Sequence, residues 1–237
     1  MSHTALLEEI RGRLREAADP DYARGAQRFF VEPVIAYGVP AATLREWERE
    51  LRPELRALKP ADRNRLCTDL LRGGHLEESL LVSYLYARFA RECAECEFKL
   101  FERWIDRHVQ NWSACDAICT RLIRACLQNV PELVAQLPPW TASKNIWKRR
   151  AAAVSLVHEA RAGRHLGPIL AIAGTLLDDP HEMVQKGTGW LLKETYPKHP
   201  TQTVAFLQEH HSRTPRLVLR YAAEKMTLSD KQKVMAR

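Results

Sequence analysis

The chain has 237 residues, of which 46% are apolar and 27% charged, which is typical of a folded globular protein. Its formal charge of +7 favours an anionic partner, and nucleic acid is the commonest one. The first residues lack the features of a signal or transit peptide, and no apolar run approaches the roughly 18 residues of a membrane span, so we expect a cytoplasmic protein with no membrane partner.

Helical periodicity runs through nearly the whole chain, whereas strand alternation is almost absent. The first predicted helix, TALLEEIRGRLREAA, stops at Asp19-Pro20, and DYARGAQRFFV is predicted to be the second. GVPAATLREWERELRPEL follows with Pro40 near its start, and PADRNRLCTDLLRGG ends at Gly73-Gly74. One or two long helices are predicted over residues 75–105.

The next segments have the same character. NWSACDAICTRLIRACLQNV is predicted to be a helix that ends before Pro131, and PELVAQLPPW to be short. TASKNIWKRRAAAVSLVHEARAG is predicted to be a helix with Ser143 as its N-cap and Gly163 as its stop. Three more helices are predicted near 165–178, 181–197 and 201–210. TPRLVLRYAAEKM, with Pro215 in the first helical position, is predicted to close the set.

A weak internal repeat accompanies these helices. NIWKRRAAAVSLV and HEMVQKGTGWLLK superimpose with a 36-residue spacing that pairs Arg150 with Lys186. Periods near this length are typical of HEAT, armadillo and TPR arrays, whose curved stacks offer a concave surface. No linker or low-complexity stretch interrupts the chain. We therefore predict an all-α, HEAT-like helical-repeat solenoid with a basic concave face, formed by residues 1–237 as one domain.

The six cysteines allow two interpretations. Cys93 and Cys96 form a CxxC and Cys115 and Cys119 a CxxxC, and four such thiols could bind zinc. Helical spacing offers a plainer account, in which cysteine is a small buried apolar residue. One predicted stripe contains Phe89, Cys93, Cys96 and Leu100, and another contains Cys115, Ile118, Cys119, Leu122 and Cys126. We therefore expect no metal and no other cofactor.

The segment NWSACDAI places Trp112 and Asp116 one helical turn apart. The apolar stripe of this helix centres on Cys115, Cys119 and Leu122, so the pair is predicted to lie half-buried at the edge of the core. Arg121 and Arg124 are expected to point elsewhere. A packing tryptophan and a carboxylate that caps a helix or pairs with an arginine would give the same pattern.

Two later segments add candidates. In KNIWKRRAAAV, Lys148, Arg149 and Arg150 cluster near a helix start beside Trp147, an arrangement suited to phosphate contact or to a solvated surface. In VQKGTGWLLKE, Gly187 and Gly189 precede Trp190 within a helix, where each glycine costs about 1 kcal/mol relative to alanine. Either close helix packing or close approach of a ligand would explain them.

With these motifs the chain resembles the AlkD-like DNA alkylation repair glycosylases, a family of HEAT-like repeat enzymes of similar length. The resemblance is strongest in NWSACDAI, in WTASKNIWKRRAA and in VQKGTGWLLKE. By this resemblance Asp116 matches the catalytic aspartate, Trp112 and Trp190 the two site tryptophans, and Arg150 the active-site arginine.

The resemblance implies hydrolysis of the N-glycosidic bond of cationic N3- or N7-alkylated purines in duplex DNA, as part of base excision repair. The implied partner is double-stranded DNA carrying such lesions, bound by a monomer that is cytoplasmic and associated with the nucleoid. The remaining candidates for DNA contact are Trp147, Lys148, Arg149, Lys186, Arg213, Arg216 and Arg220.

Two other functions fit the same fold class. Some HEAT-like relatives bind DNA structures without catalysis, and many HEAT arrays are protein-interaction scaffolds. The joint presence of Asp116, Trp112, Arg150 and Trp190 argues against the first, and a scaffold would not need these residues or salt-sensitive DNA affinity. Motifs of other enzyme classes, such as GxSxG, P-loops and HExxH, are absent from the sequence.

Overall fold

The computed structural model describes residues 2–236, and its regular elements are helices apart from an isolated bridge between Ile35 and His75. The predicted all-α helical-repeat fold is therefore confirmed. The chain divides into two compact units, one up to Ala125 and one from Cys126 onward. Over the described residues, no helix combines the length and the apolar character needed to cross a membrane.

The first unit begins with two capped helices, because Ser2 accepts from the Ala5 amide and Asp19 from the Asp21 and Tyr22 amides. Its core contains Leu6, Ile10, Leu66 and Leu70 among other buried side chains. The helices are α1 (His3–Glu16), α2 (Pro20–Gln27), α3 (Ala41–Glu50), α4 (Arg52–Ala57), α5 (Pro60–Arg72), α6 (Leu76–Tyr86), α7 (Glu95–His108) and α8 (Trp112–Ile118). A π-helix, Cys119–Ile123, and α9 (Arg124–Asn129) continue α8, and the boundary between the two units falls within α9.

Three predictions for this unit were wrong in detail. The second helix ends at Gln27, so the following aromatic residues belong to a loop. The third is split at Leu51, where Pro53 in the first turn of α4 starts a new helix. The stripe through Cys93 and Cys96 does not exist, because a 3₁₀ turn and an extended Cys93 separate α6 from α7. Cys93 is buried and Cys96 is exposed.

The second unit contains α10 (Ile146–Val154), α11 (Val157–Ala162), α12 (Leu166–Leu176), α13 (Glu182–Thr195), α14 (Pro200–Glu209), α15 (Arg216–Ala222) and α16 (Leu228–Met235). Gly163 ends α11 with a φ of 74°, as predicted, but the single helix predicted to end there is divided into α10 and α11. The predicted Ser143 cap was wrong: Asn145 caps α10, and the Ser143 hydroxyl accepts from the Asn145 amide instead. Pro215 immediately precedes α15, and α16 was not predicted.

The internal repeat corresponds to α10 and α13. Both begin in the same way, because the Asn145 side chain accepts from the Trp147 amide and the His181 ring from the Met183 amide. The two helices pack against each other, and α13 also packs against α15. Gly187 faces α10 and Gly189 faces α15, so helix packing accounts for both glycines.

Candidate functional site

Trp112 and Asp116 lie on α8, the helix that the Asn111 side chain caps by accepting from the Ala114 amide at 2.9 Å. Both residues are half-buried, as predicted, whereas Cys115 and Ile118 on the inner side of the helix are fully buried. The Thr120 hydroxyl donates to the Asp116 carbonyl oxygen at 2.6 Å. The first unit therefore presents a carboxylate one turn from an indole at the edge of its core.

Directly after this turn the helix widens. The Arg124 amide bonds to the Cys119 carbonyl, five residues earlier, within the π-helix Cys119–Ile123. Such insertions are rare in proteins and are frequent at functional sites. Helical periodicity of 3.6 residues does not predict this change, which alters the direction of every side chain that follows.

The Trp112 indole is held by the loop that follows α2. Its ring stacks on Phe30 with centroids 5.2 Å apart, and its Nε1 donates to the Phe29 carbonyl oxygen at 3.1 Å. The Gln27 side chain stabilises this loop, donating to the Phe30 and Glu32 carbonyls and accepting from the Val34 amide. Sequence reasoning missed these contacts because it assigned the aromatic pair to a helix.

A buried carboxylate anchors the end of the same loop. Glu77 on α6 accepts from the amides of Tyr37, Gly38 and Val39 at 2.7–3.2 Å. The neighbouring Glu78 accepts from the Tyr37 hydroxyl, and burial together with this carboxylate raises the pKa of Tyr37 to about 12. The loop that positions Trp112 is thus fixed to α6 through backbone hydrogen bonds to a charged acceptor, which are stronger than neutral ones.

An apolar cleft of about 500 Å³ opens beside Trp112 within the first unit. Its walls come from α2, the following loop and α6, and include Tyr22, Phe29, Phe30 and Leu80. The Phe29 side chain is 74% exposed and Tyr22 is 50% exposed. One edge of the Trp112 ring is therefore next to an open apolar surface.

Arg150 and Trp190 belong to the second unit. Arg150 is buried, and its Nη1 donates to the Met183 carbonyl oxygen. A Cβ at Gly187 would lie 3.2 Å from the Arg150 Cγ, so the glycine leaves room for the arginine stem. Trp190 follows three residues later on α13. The packing of α10 on α13 thus brings Arg150 next to the helix that carries Trp190.

The Trp190 ring is half-buried, and its Nε1 donates to the Glu194 carboxylate at 3.2 Å. Glu194 also accepts two hydrogen bonds from Arg161 and one from Lys225. Burial alone would raise the pKa of Glu194, but the hydrogen bonds and charges of these two cations outweigh it and hold the pKa at about 2. Glu194, which the sequence did not single out, is therefore an ionised anchor for the Trp190 indole.

The basic cluster of α10 is largely engaged within the protein. Arg149 donates twice to the buried carboxylate of Asp179, at 2.6 and 3.1 Å, and also to the Ser143 and Lys144 carbonyls. Trp147 is buried and packs edge-on against the His181 ring. The Lys148 ammonium lies 6.0 Å from the centre of the Trp140 ring. Arg149 and Trp147 therefore have structural roles in the second unit.

The other predicted DNA contacts lie nearer the surface. Lys186 pairs with Glu182, and Arg213 pairs with Asp178 and donates to the Gly174 carbonyl. Arg216 donates to the Met235 carbonyl, and Arg220 is exposed on α15. Of these four, Arg213 and Arg216 bind to carbonyls of other segments and so also hold the fold together.

Within residues 2–236, no group of three or more histidine, cysteine or acidic side chains is arranged to hold a metal ion. Five of the six cysteines are buried free thiols. Burial raises the pKa of the Cys67 thiol to about 12, so it is protonated and unreactive at neutral pH.

Comparisons with known proteins give one family and two solved structures of similar fold. A family model described as "DNA alkylation repair enzyme" matches residues 10–226. A solved structure described as a predicted DNA alkylation repair enzyme from Enterococcus faecalis has a TM-score of 0.80 at 13% identity, covering 89% of this chain and 97% of that one. The structure of smu.31 from Streptococcus mutans UA159 has a TM-score of 0.60 at 16% identity, covering 78% and 94%. No curated protein sequence matches the chain.

Proposed function

Since the chain belongs to the family of DNA alkylation repair enzymes, we propose that it is a DNA glycosylase that removes cationic N3- or N7-alkylated purines from duplex DNA. The observation that carries this proposal is the half-buried Asp116, one turn from an indole that the 28–39 loop holds in place. The same loop and helix leave an open cleft that Trp112 and Ser113 line, one helical turn from Asp116, which supports access of a substrate to this part of the first unit.

The chemistry of the proposed substrate explains why few catalytic groups are needed. Alkylation at N3 or N7 makes the purine cationic, so it leaves with the electron pair of the N-glycosidic bond and becomes neutral without protonation. Positive charge then develops on the deoxyribose as an oxocarbenium-like ion. Water adds to C1′ and loses a proton, which completes hydrolysis.

Asp116 is proposed to act on the sugar rather than on the base. An ionised carboxylate at the edge of a core lies in a medium of lower effective dielectric than water, where its attraction for a developing cation is stronger. The same carboxylate orients the attacking water and accepts its proton.

The roles proposed for the two tryptophans and for Arg150 come from the family resemblance. Trp112 and Trp190 present electron-rich faces to cationic groups, each contact contributing about 0.5–2 kcal/mol. By resemblance Arg150 is the active-site arginine, and it is proposed to contact a backbone phosphate with the small part of its side chain that is not buried, while its Nη1 donates to the Met183 carbonyl oxygen. The proposed enzyme works as a cytoplasmic, nucleoid-associated monomer in base excision repair, without a cofactor.

Release of free base from methylated duplex DNA tests the proposal. Wild type is expected to release 7-methylguanine and 3-methyladenine, whereas Asp116→Asn abolishes release and keeps nearly the same affinity for duplex DNA. Asp106→Asn removes an equivalent charge from the exposed surface of α7 and should excise at the wild-type rate. Arg150→Ala is expected to weaken both excision and binding.

Two results would contradict this function. Equal excision by Asp116→Asn and wild type would remove Asp116 from the mechanism. If neither protein releases a base while both bind DNA in a salt-sensitive way, the chain is instead a non-catalytic DNA-binding relative.

A further inference from the structure

A second cleft, of about 560 Å³, lies in the first unit where α3, α6 and the π-helix meet. Four arginines line it, namely Arg45, Arg49, Arg88 and Arg121, together with Tyr84 and Glu48. None of these residues was among the sequence-based candidates for DNA contact. The cleft combines a high density of positive charge with an aromatic ring, which is the composition of nucleic-acid binding grooves.

The single carboxylate of the cleft is already neutralised. Glu48 is buried and accepts two hydrogen bonds of 2.7 Å from Arg88 and two of 3.3 Å from Arg52. Burial opposes ionisation, but these guanidinium groups outweigh it and lower the pKa of Glu48 below its ordinary value. Glu48 therefore does not neutralise the remaining arginines of the cleft.

Those remaining arginines have no anionic partner. Among residues 2–236, no carboxylate pairs with Arg45, Arg49 or Arg121. Arg45 and Arg49 are exposed and lie one turn apart on α3, whereas Arg121 is half-buried in the π-helix. Three unpaired guanidinium groups around one depression attract anions strongly.

Tyr84 orders two of these side chains. The Arg45 guanidinium lies 5.5 Å and that of Arg121 5.0 Å from the centre of its ring. Such contacts are worth about 0.5–1 kcal/mol each at exposed sites. They also restrict two otherwise mobile side chains, so less conformational entropy is lost when an anion binds.

We propose that this arginine cleft binds the phosphodiester backbone of the DNA substrate. The inference rests on the proposed function for its DNA partner. The guanidinium fork matches the geometry of phosphate oxygens, and several arginines in one groove suit a chain of phosphates better than a single small anion. Arg121 follows Asp116 by only five residues in an unbroken helical stretch, so the two residues lie little more than one helical turn apart along its axis. The cleft therefore holds the strand close to the proposed reaction site.

The salt dependence of binding to unmodified duplex DNA tests whether the arginine cleft contacts phosphates. A labelled duplex is titrated with wild type and with Arg45→Gln/Arg121→Gln at a series of salt concentrations, and fluorescence anisotropy gives the affinity. Each phosphate contact contributes roughly 0.9 to the slope of log K against log salt, so the double variant should lose about 2 from the slope. Its affinity at low salt should fall at least tenfold.

A matched control removes the same number of positive charges at a site away from the cleft. Arg103→Gln/Arg107→Gln removes two exposed arginines from α7, a helix that contributes no residue to the lining of the cleft. This variant should keep the wild-type slope within about 0.5. If Arg121→Gln disturbs the π-helix, as a lower melting temperature would reveal, Arg45→Gln/Arg49→Gln provides the same test on the exposed face of α3.

The outcomes separate this proposal from the proposed function. A cleft variant with the wild-type slope and affinity, or a control that loses as much, would overturn the cleft proposal even where wild type excises methylated bases. Normal DNA binding that depends on the cleft, without excision by wild type, would sustain the cleft and overturn the glycosylase. Binding of poly-glutamate as tight as that of DNA, lost in the double variant, would assign the cleft to acidic protein segments and overturn the phosphodiester assignment.

Discussion

Glu194 offers a quantitative test of how the second unit holds Trp190. The carboxylate is 4% exposed and receives hydrogen bonds from Arg161, Lys225 and the Trp190 indole. Its pKa falls from 4.5 to about 2, and at about 1.36 kcal/mol for each unit the full shift corresponds to about 3.4 kcal/mol. Arg161 and Lys225 are 45% and 44% exposed, so solvent screening reduces the expected contribution to about 1–2 kcal/mol.

The sign of the pH dependence follows from the direction of the shift. Because the folded-state pKa is depressed, the stabilisation is fully present above the ordinary value of 4.5 and is lost as pH falls towards 2. Glu194→Gln removes the charge but keeps an amide oxygen that can accept from Trp190. The free energy of unfolding at pH 7 should therefore fall by about 1–2 kcal/mol, which lowers Tm by about 2–8 °C. The difference from wild type should shrink below about pH 4.5.

Urea unfolding between pH 7 and pH 3, followed by circular dichroism, measures this difference. Glu182→Gln on the same helix is the matched control, because Glu182 is 66% exposed and also pairs with a lysine four residues away. It should change stability by less than about 0.5 kcal/mol at any pH. If Glu194→Gln behaves like this control at pH 7, or if its deficit grows as the pH falls, the reasoning about the Glu194 anchor is wrong.

Two further outcomes test the packing. Gly189→Ala should destabilise the protein by about 1–3 kcal/mol, because the new Cβ would lie 2.5 Å from the Tyr221 Cβ and force α13 away from α15. Gly12→Ala is the control: its Cβ would meet no atom within 4 Å, so the change should stabilise α1 by about 0.5–1 kcal/mol. Thermal unfolding compares the two, and equal Tm shifts would contradict the packing argument. Of the six cysteines, Cys96 alone should react with a thiol reagent in the native protein, and all six should react in denaturant. Mass spectrometry of the labelled protein counts them, and rapid native labelling of Cys67 would refute its burial.

The sequence predicted most helices because apolar residues recur with a 3.6-residue period throughout the chain. It failed where a local signal was ambiguous. Pro53 is compatible with the first turn of a new helix as well as with a kink, so the break between α3 and α4 was not apparent. The π-helix after Asp116 was also missed, because adding one residue to a turn leaves no mark in composition or spacing.

In the candidate site, too, the features set by local sequence were predictable and those set by distant contacts were not. Half-burial of Trp112 and Asp116 follows from their place on the helical wheel, so it was predictable from eight residues of sequence. The contact that holds Trp112 joins it to Phe29, 83 residues away, and the partners of Glu194 lie 31 and 33 residues away. Hydrogen bonds between segments so far apart depend on how the helices pack, which periodicity does not specify.

Net charge is a poor guide to the position of the proposed DNA-binding surface, because arginine has two roles in this chain. Arg149, Arg161 and Arg88 each pair with a buried carboxylate and so join separate segments within a unit. Charges neutralised in this way add little to the field that attracts a polyanion. Arg45 and Arg121 have no such partner and lie over one tyrosine. The sequence cluster at residues 148–150 is denser in charge, yet its central arginine is bound to Asp179. The proposed phosphate contacts are therefore placed in the arginine cleft and not at residues 148–150, because of these two places only the cleft holds several arginines that have no carboxylate partner among residues 2–236.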